Sequence, residues 1–237
     1  MDKRVVVFGD SIAKGRIYED NKLQKLDNNA VSLIAKEYGY EITNLAKYGL
    51  SLKKLNEKNI IENYLKETNP LPEYAVICIG GNDADYNWKE VALSPLESHK
   101  PITPVEEFSA LLNKTVALLK EVGIKVILTT IPPVSSERYF KNVICKISDG
   151  QKVLEFFDGD VTNISRHQEA YNYAIIGTAV TNDCHIIDLR TGFLLDKNYL
   201  ANYCIDGIHP NACGHKFMAM EIVKSLARQG LYLTKRN

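Results

Sequence analysis

Residues 4–15, RVVVFGDSIAKG, decide how the rest of this chain is interpreted. The apolar, β-branched run at 5–8 predicts a buried strand, because it is too short and too rich in valine for a helix. The run stops at Gly9-Asp10-Ser11. A polar residue just past the carboxyl end of a strand lies where open α/β sheets bind ligands. Ser11 is therefore a candidate nucleophile, although serines at such positions are also common turn and N-cap residues.

Beyond this stretch, predicted strands and helices alternate. Further strands are predicted at 41–46, 74–79, 125–131 and 184–189. Helices are predicted at 23–38, 52–65, 104–122, 164–182 and 212–229. Because strands that alternate with helices of this length are joined in parallel by right-handed crossovers, the sequence predicts an α/β fold, a three-layer α/β/α sandwich of about five parallel strands.

One segment does not fit the alternation. Residues 134–163 are mixed in pattern, and the structure there is expected to be either a short helix or a hairpin of 141–147 and 152–157 around Asp149-Gly150. Residues 85–101 are expected to form a loop. We expect a single domain over 1–237, with 134–163 as an insertion over the sheet.

The composition excludes several classes of protein. Of the 237 residues 45% are hydrophobic, and 29 basic side chains balance 29 acidic ones. A formal charge of +0 argues against a protein that binds nucleic acid by neutralising phosphates and against a basic membrane-surface protein. The five cysteines include no C-x-x-C pair, so neither a disulfide framework nor a zinc finger is indicated. No secretory or membrane-spanning run is recognisable, which favours a cytoplasmic protein without a transmembrane segment.

Near the carboxyl terminus, Asp206 precedes His209 by three residues. Histidine is a suitable general base near neutral pH, because its unperturbed pKa is about 6.5. A carboxylate three residues away can hold the imidazole in the correct tautomer and stabilise its protonated form. Taken alone, an Asp-x-x-His pair is more often a capping or surface pair than a catalytic one.

Two further loops contain candidate donors for an oxyanion. Gly49 follows the second predicted strand, and glycine allows a backbone N–H to approach a ligand closely. Asn82, within Gly80-Gly81-Asn82-Asp83 after the 74–79 strand, offers a side-chain amide. Preorganised donors of this kind stabilise the charge that develops during acyl transfer. Taken alone, each residue is better explained as part of a tight turn.

Taken together and in their order along the chain, these four blocks resemble the SGNH-hydrolase family, also called GDSL esterases and lipases. The blocks are Gly9-Asp10-Ser11, Gly49 within NLAKYGLS, Gly80-Gly81-Asn82-Asp83 and Asp206-Gly207-Ile208-His209, spread over about 5–220. Ile12 departs from the leucine usual in that family. The blocks do not account for 134–163.

The resemblance implies a flavodoxin-like SGNH-hydrolase fold and a serine hydrolase without metal or cofactor. Ser11, His209 and Asp206 would be nucleophile, base and orienting acid, and the oxyanion hole would comprise the Ser11 and Gly49 N–H groups and the Asn82 amide. Asp10 would support the loop. The expected partner is a small-molecule ester, either a short-chain ester or an acetylated carbohydrate, with a lysophospholipase or thioesterase as the alternative. Tyr86 and Trp88, and also Tyr139 and Phe140, are candidates for lining its pocket, although aromatic residues at such positions are more often ordinary, partly buried loop residues.

Three other functions fit the sequence less well. A flavodoxin-like nucleotide or flavin binder would need a phosphate loop, and GDSIAKG has neither of the usual glycine spacings. Asp206, His209, Cys213 and His215 are residue types that bind zinc, but the two histidines are six residues apart and would face different sides of a helix. A non-catalytic relative that binds a carbohydrate or protein is disfavoured by the intact Ser11, Asn82 and His209.

Overall fold

A computed structural model describes residues 4–234. The strands of its central sheet are β1 (Arg4–Gly9), β4 (Glu41–Asn44), β5 (Tyr74–Cys78), β6 (Lys125–Thr129) and β7 (His185–Ile187). They lie in the order β4-β1-β5-β6-β7, and every neighbouring pair is parallel. Two short antiparallel strands, β2 (Arg16–Glu19) and β3 (Lys22–Lys25), form a separate hairpin. The predicted sheet of five parallel strands is confirmed.

The order of the strands determines where a site can form. The chain runs from β1 to β4 on one side and then crosses to β5 on the other side of β1. The connections that leave the carboxyl ends of β1 and its neighbours therefore diverge, which opens a crevice just beyond Gly9. Ser11 lies at this crevice.

Helices cover both faces of the sheet. They are α1 (Ala30–Tyr38), α2 (Leu52–Glu57), α3 (Ile60–Glu67), α4 (Trp88–Leu93), α5 (Val105–Glu121), α6 (Ser136–Tyr139), α7 (Cys145–Ile147), α8 (Gly150–Phe156), α9 (Asn163–Thr181), α10 (Arg190–Leu195) and α11 (Ala212–Arg228). A π-helical turn spans Phe140–Ile144, and a 3₁₀ turn spans Tyr199–Asn202.

Alternating side chains of the strands form two cores. Val6 and Phe8 of β1 pack with apolar residues of α2, α3, α5 and α9 on one face. On the other face, Ile127 and Ile187 pack with residues of α1, α10 and α11. This alternation follows from the two-residue period of a strand and gives the expected three layers.

Several predicted boundaries were wrong. The helix expected over 23–38 begins only at Ala30, because Arg16–Lys25 forms the hairpin, with both turn residues, Asp20 and Asn21, at positive φ. Positive φ at both central residues is typical of a type I′ turn, which joins two strands tightly. The single helix expected over 52–65 is two helices, interrupted at Asn59, whose φ is +47°. The loop expected over 85–101 contains α4.

The hairpin considered for residues 134–163 was also wrong, and the helical alternative is the correct one. The segment consists of α6, the π-helical turn, α7 and α8. Asp149, expected as a turn residue, is the N-cap of α8, and its side chain accepts hydrogen bonds from the N–H groups of Gln151 and Lys152. Between residues 4 and 234, no helix is sufficiently long and apolar to cross a bilayer.

Candidate active site

Ser11 lies in a tight turn at the end of β1. The Asp10 N–H donates to the Cys78 carbonyl at 3.2 Å, and the Asp10 carboxylate accepts from the Ile12 N–H at 2.9 Å. Gly9 leaves no room for a side chain, because a Cβ there would lie 2.4 Å from the Cβ of Ala13. These contacts fix the turn and hold Ser11, which is 6% exposed, at the edge of the sheet.

His209 and Asp206 meet this serine. The Nε2 atom of His209 lies 2.8 Å from Ser11 Oγ, and its Nδ1 atom lies 2.6 Å from Asp206 Oδ2. The other Asp206 oxygen accepts from the backbone N–H groups of Ile208 and His209, both at 3.1 Å. The sequence separates Ser11 from His209 by 198 residues, yet the structure brings all three side chains into one hydrogen-bonded row.

Asp10 directly precedes Ser11 in the turn. Burial raises the pKa of its carboxyl group from 3.8 to about 6, although the Ile12 hydrogen bond and the nearby His209 ring act in the opposite direction. Its hydrogen bond to the turn agrees with the supporting role expected for this residue.

Gly49 and Asn82 lie at the ends of the two neighbouring strands. Gly49 has φ of +64°, so the left-handed backbone favours glycine here, while a Cβ would meet no atom within 4 Å. One hydrogen of the Asn82 amide is donated to the Leu50 carbonyl at 3.2 Å. An amide has two such hydrogens, so the second can be donated to a ligand.

Asp83 holds the same two loops together, a role that the sequence analysis missed. Its buried carboxylate accepts from the Leu52 N–H at 2.9 and 3.0 Å and from the Thr103 hydroxyl at 2.7 Å. Burial raises the pKa of this carboxyl group. Because Asp83 follows Asn82 directly and Leu52 lies three residues after Gly49, the pair Asn82-Asp83 fixes the spacing between the two loops.

A cavity of about 350 Å³ opens beside these groups. Ser11, Asn82 and His209 line one side of it, together with Asp10. Of the four aromatic residues proposed from the sequence, Tyr86, Trp88 and Tyr139 line it as well. Gly49 is not among the lining residues, whereas its neighbour Tyr48 is.

The cavity also has an aromatic wall, defined here as Tyr86, Trp88, Tyr139 and Phe157. Trp88 packs against Tyr86, Tyr139 and Phe157, with ring centroids 5.3, 6.3 and 5.8 Å apart. α4 provides Trp88, and the helical segment at 134–163 provides Tyr139 and Phe157. That segment is therefore part of the pocket, although no motif indicated it. Phe140 packs against this cluster and does not line the cavity.

Asp85 is a second residue that the sequence analysis missed. Its carboxylate accepts from the Tyr139 hydroxyl at 2.8 and 2.9 Å and from Trp88 Nε1 at 2.8 Å. Burial raises the pKa of the Asp85 carboxyl group to about 6, and burial together with this carboxylate raises the pKa of Tyr139 well above 10. The available signal was the Asp-x-x-Trp spacing just before α4.

The described histidine, cysteine, aspartate and glutamate side chains, from residue 4 to 234, form no group of three or more that could hold a metal ion. His215, part of the zinc alternative, is fully buried, and its Nδ1 atom accepts from the Ala30 N–H at 3.3 Å. Burial lowers the pKa of His215 to about 4. This histidine thus connects α11 to the start of α1.

Comparison with known proteins identifies the chain independently of this geometry. The sequence model of the GDSL-like Lipase/Acylhydrolase family matches residues 7–217. An isoamyl acetate-hydrolyzing esterase 1 homolog from Mus musculus is 26% identical over 245 residues, covering 95% of this chain and 82% of that protein.

Solved structures agree on the fold. A lipase/acylhydrolase from Enterococcus faecalis superimposes with a TM-score of 0.63 at 19% identity and covers 99% of both chains. Axe2, an acetylxylan esterase from Geobacillus stearothermophilus, superimposes with a TM-score of 0.63 at 17% identity and covers 94% of both chains. At such identities these structures establish the shared architecture.

Proposed function

This chain belongs to the GDSL-like lipase/acylhydrolase family and is an ester hydrolase, and from that premise we propose that it cleaves esters through an acyl-enzyme on Ser11. One observation carries the proposal. The Ser11 Oγ, His209 and Asp206 atoms lie in series at 2.8 and 2.6 Å, the distances over which a proton can be transferred.

In the proposed reaction, Ser11 Oγ attacks the ester carbonyl while His209 Nε2 takes the hydroxyl proton. Collapse of the tetrahedral intermediate breaks the bond to the alcohol oxygen, and His209 returns the proton to that oxygen. Water then attacks the acyl-serine with His209 again as base, and this step releases the acid and restores Ser11. Asp206 orients the imidazole and stabilises its protonated form.

The proposed oxyanion hole consists of the backbone N–H groups of Ser11 and Gly49 and the free hydrogen of the Asn82 amide. The Asn82 hydrogen bond to Leu50 supports this arrangement, because it orients the amide before substrate binds. The Asp83 contact with Leu52 supports it further by fixing the Gly49 loop. No cofactor takes part in these steps.

For the substrate, we favour a short-chain ester or an acetylated carbohydrate. The relative named for hydrolysis of isoamyl acetate and the fold shared with an acetylxylan esterase support this choice. A cavity of about 350 Å³ with an aromatic wall also suits a small, apolar group. A lysophospholipase or thioesterase is the second candidate. The proposal includes a cytoplasmic location.

The test compares wild type with Ser11→Ala on p-nitrophenyl acetate. Ser11→Ala should abolish hydrolysis while the circular dichroism spectrum stays unchanged. Ser165→Ala provides a matched control, because this serine lies outside the cavity and should leave activity intact. Full activity in Ser11→Ala would refute the assignment of the nucleophile.

A series of p-nitrophenyl esters from acetate to dodecanoate, together with acetylated xylo-oligosaccharides, separates the substrate candidates. We expect kcat/KM to be highest for the short acyl chains or the acetylated sugar. A steady increase up to dodecanoate would favour the lipid-directed alternative.

A further inference from the structure

The lining of the catalytic cavity has an unbalanced charge. Its two ionisable acids are Asp10 and Asp85, and between residues 4 and 234 no lysine or arginine lines it. A site that binds a carboxylate or phosphate group normally presents arginine or lysine to it. The basic side chains that line it are the imidazoles of His167 and His209, so among the described residues the cavity offers an anionic substrate no permanent positive charge.

The two acids differ in what surrounds them. Asp10 lies beside His209, whose ring acts electrostatically on it, and Asp10 is bonded to the nucleophile turn. Asp85 instead lies within the aromatic wall, and its side-chain donors are the neutral Tyr139 hydroxyl and Trp88 indole. Hydrogen bonds from neutral donors hold the carboxylate in place without cancelling its charge.

The position of Asp85 makes this charge effective within the cavity. Asp85 lines the same cavity as Ser11 and His209, so its charge acts on whatever binds beside the catalytic residues. Trp88 and Phe157 exclude water around it. Because charges interact more strongly where water is excluded, a second negative charge bound here would be repelled.

From this arrangement we infer that the pocket selects esters by charge and that Asp85 is the residue responsible. The pocket accepts uncharged esters. It rejects esters in which the part that enters the pocket, the acyl group or the alcohol group, carries a negative charge. The inference rests on the proposed function, since it concerns the substrates of the same site. It also separates the substrate candidates, because short esters and acetylated sugars are uncharged, whereas lysophospholipids and coenzyme thioesters carry phosphate groups.

Two isosteric pairs of esters test the inference. Isoamyl acetate and 3-acetoxypropanoate differ only in an isopropyl or carboxylate group on the alcohol side. Ethyl 4-methylpentanoate and monoethyl succinate differ in the same way on the acyl side. The kcat/KM ratio of neutral to anionic ester is measured for each pair and divided by the corresponding ratio for hydroxide-catalysed hydrolysis, so that intrinsic reactivity cancels.

Wild type should favour the neutral ester in at least one pair, and Asp85→Asn should reduce that ratio on the order of 30-fold, as expected for two charges about 8 Å apart in a partly buried site. Asparagine has the shape of aspartate and can accept from Tyr139 or Trp88. Asp27→Asn, which removes a carboxylate that is 86% exposed, should leave both ratios unchanged.

Ratios near one for both pairs in wild type would overturn the inference, whether or not Asp85→Asn folds. So would a large ratio in wild type that persists in folded Asp85→Asn. Hydrolysis of the neutral esters distinguishes these results from failure of the proposed function, since a wild-type protein that cleaves neither neutral ester would refute the ester hydrolysis itself and this inference with it.

Discussion

The two sides of the catalytic cavity are built in different ways. Ser11, Asn82 and His209 lie on short loops. The Ser11 carbonyl accepts a hydrogen bond from the Arg16 N–H, whereas Asn82 donates to the Leu50 carbonyl and the His209 N–H donates to Asp206. The aromatic wall instead belongs to helices and their adjoining loops, and its residues are positioned by side-chain packing and by Asp85. We therefore expect substitutions on the catalytic side to change kcat, and those in the aromatic wall to change KM and the choice of substrate.

The largest effect in this comparison is expected for Asn82→Ala. In wild type, the free amide hydrogen of Asn82 would bind the oxyanion more strongly than the ground-state carbonyl. Its loss should therefore lower kcat on the order of 10²–10³-fold with little change in KM. Steady-state kinetics with p-nitrophenyl acetate measures both constants. Asn63→Ala, at an exposed position on α3, provides the control. A rise in KM with kcat preserved would place Asn82 in substrate binding alone.

A smaller effect is expected for Trp88→Phe. The phenyl ring keeps most of the apolar surface but loses the N–H bonded to Asp85. We expect KM for butyrate or hexanoate esters to rise roughly 3–10-fold, with kcat for acetate nearly unchanged, because the lost contact acts equally on ground and transition states. Tyr173→Phe, 71% exposed, controls for a general aromatic change. If kcat alone fell, the two sides of the cavity would not be functionally separate.

Trp88 is also the only tryptophan in the sequence, so its fluorescence reports directly on the aromatic wall. Titrating Ser11→Ala with isoamyl acetate, and exciting at a wavelength that tyrosine does not absorb, should change the intensity or wavelength of the emission as the ester fills the cavity. Saturating ester without any spectral change would argue that substrate binds elsewhere.

A separate effect concerns the stability of the fold rather than catalysis. Because the pKa of His215 is lowered to about 4 in the folded protein, the unfolded chain binds its proton first as the pH falls from about 6.5 to 4. As the pH falls over that window, His215 therefore lowers the free energy of unfolding by roughly 3 kcal/mol. Asp10 and Asp85, whose pKa values are raised in the folded protein, have the opposite effect on stability.

Urea unfolding at pH 7.5 and 4.5 isolates this contribution. The loss of stability between the two pH values should be smaller in His215→Asn than in wild type by about 2–3 kcal/mol. His185→Asn, on β7, is the matched substitution. Equal losses in wild type and His215→Asn would mean that His215 is not held neutral by burial.

The difference between the catalytic loops and the aromatic wall also explains which parts of the site could be predicted from the sequence. The catalytic side depends on local signals, since each candidate residue follows an apolar strand or precedes the last helix, and parallel strands bring such loops to one edge. The sheet, and the loops that carry Ser11, Gly49, Asn82 and His209, could therefore be predicted. The supporting role of Asp83 could not, because it depends on a contact with Leu52, 31 residues away.

The aromatic wall lacked comparable signals. Tyr139 and Phe157 contact Trp88 although their segments are distant from it in sequence. In addition, short apolar runs such as those within 134–163 fit a strand as well as a helix. The hairpin error arose there, because Asp149-Gly150 suits a turn and a helix start equally. The wrong start of α1 had a different cause, since Asp20-Asn21 was a turn signal that the helical spacing of the apolar residues outweighed.

The central claim is that Ser11 is activated by His209 as the nucleophile. The most direct test is labelling with a fluorophosphonate, followed by peptide mass spectrometry, in wild type and His209→Ala. The proposed mechanism predicts one phosphonyl adduct, located on Ser11, and a rate of labelling at least 100-fold lower in His209→Ala. An adduct on a different serine, or equal labelling of Ser11 in both proteins, would contradict it.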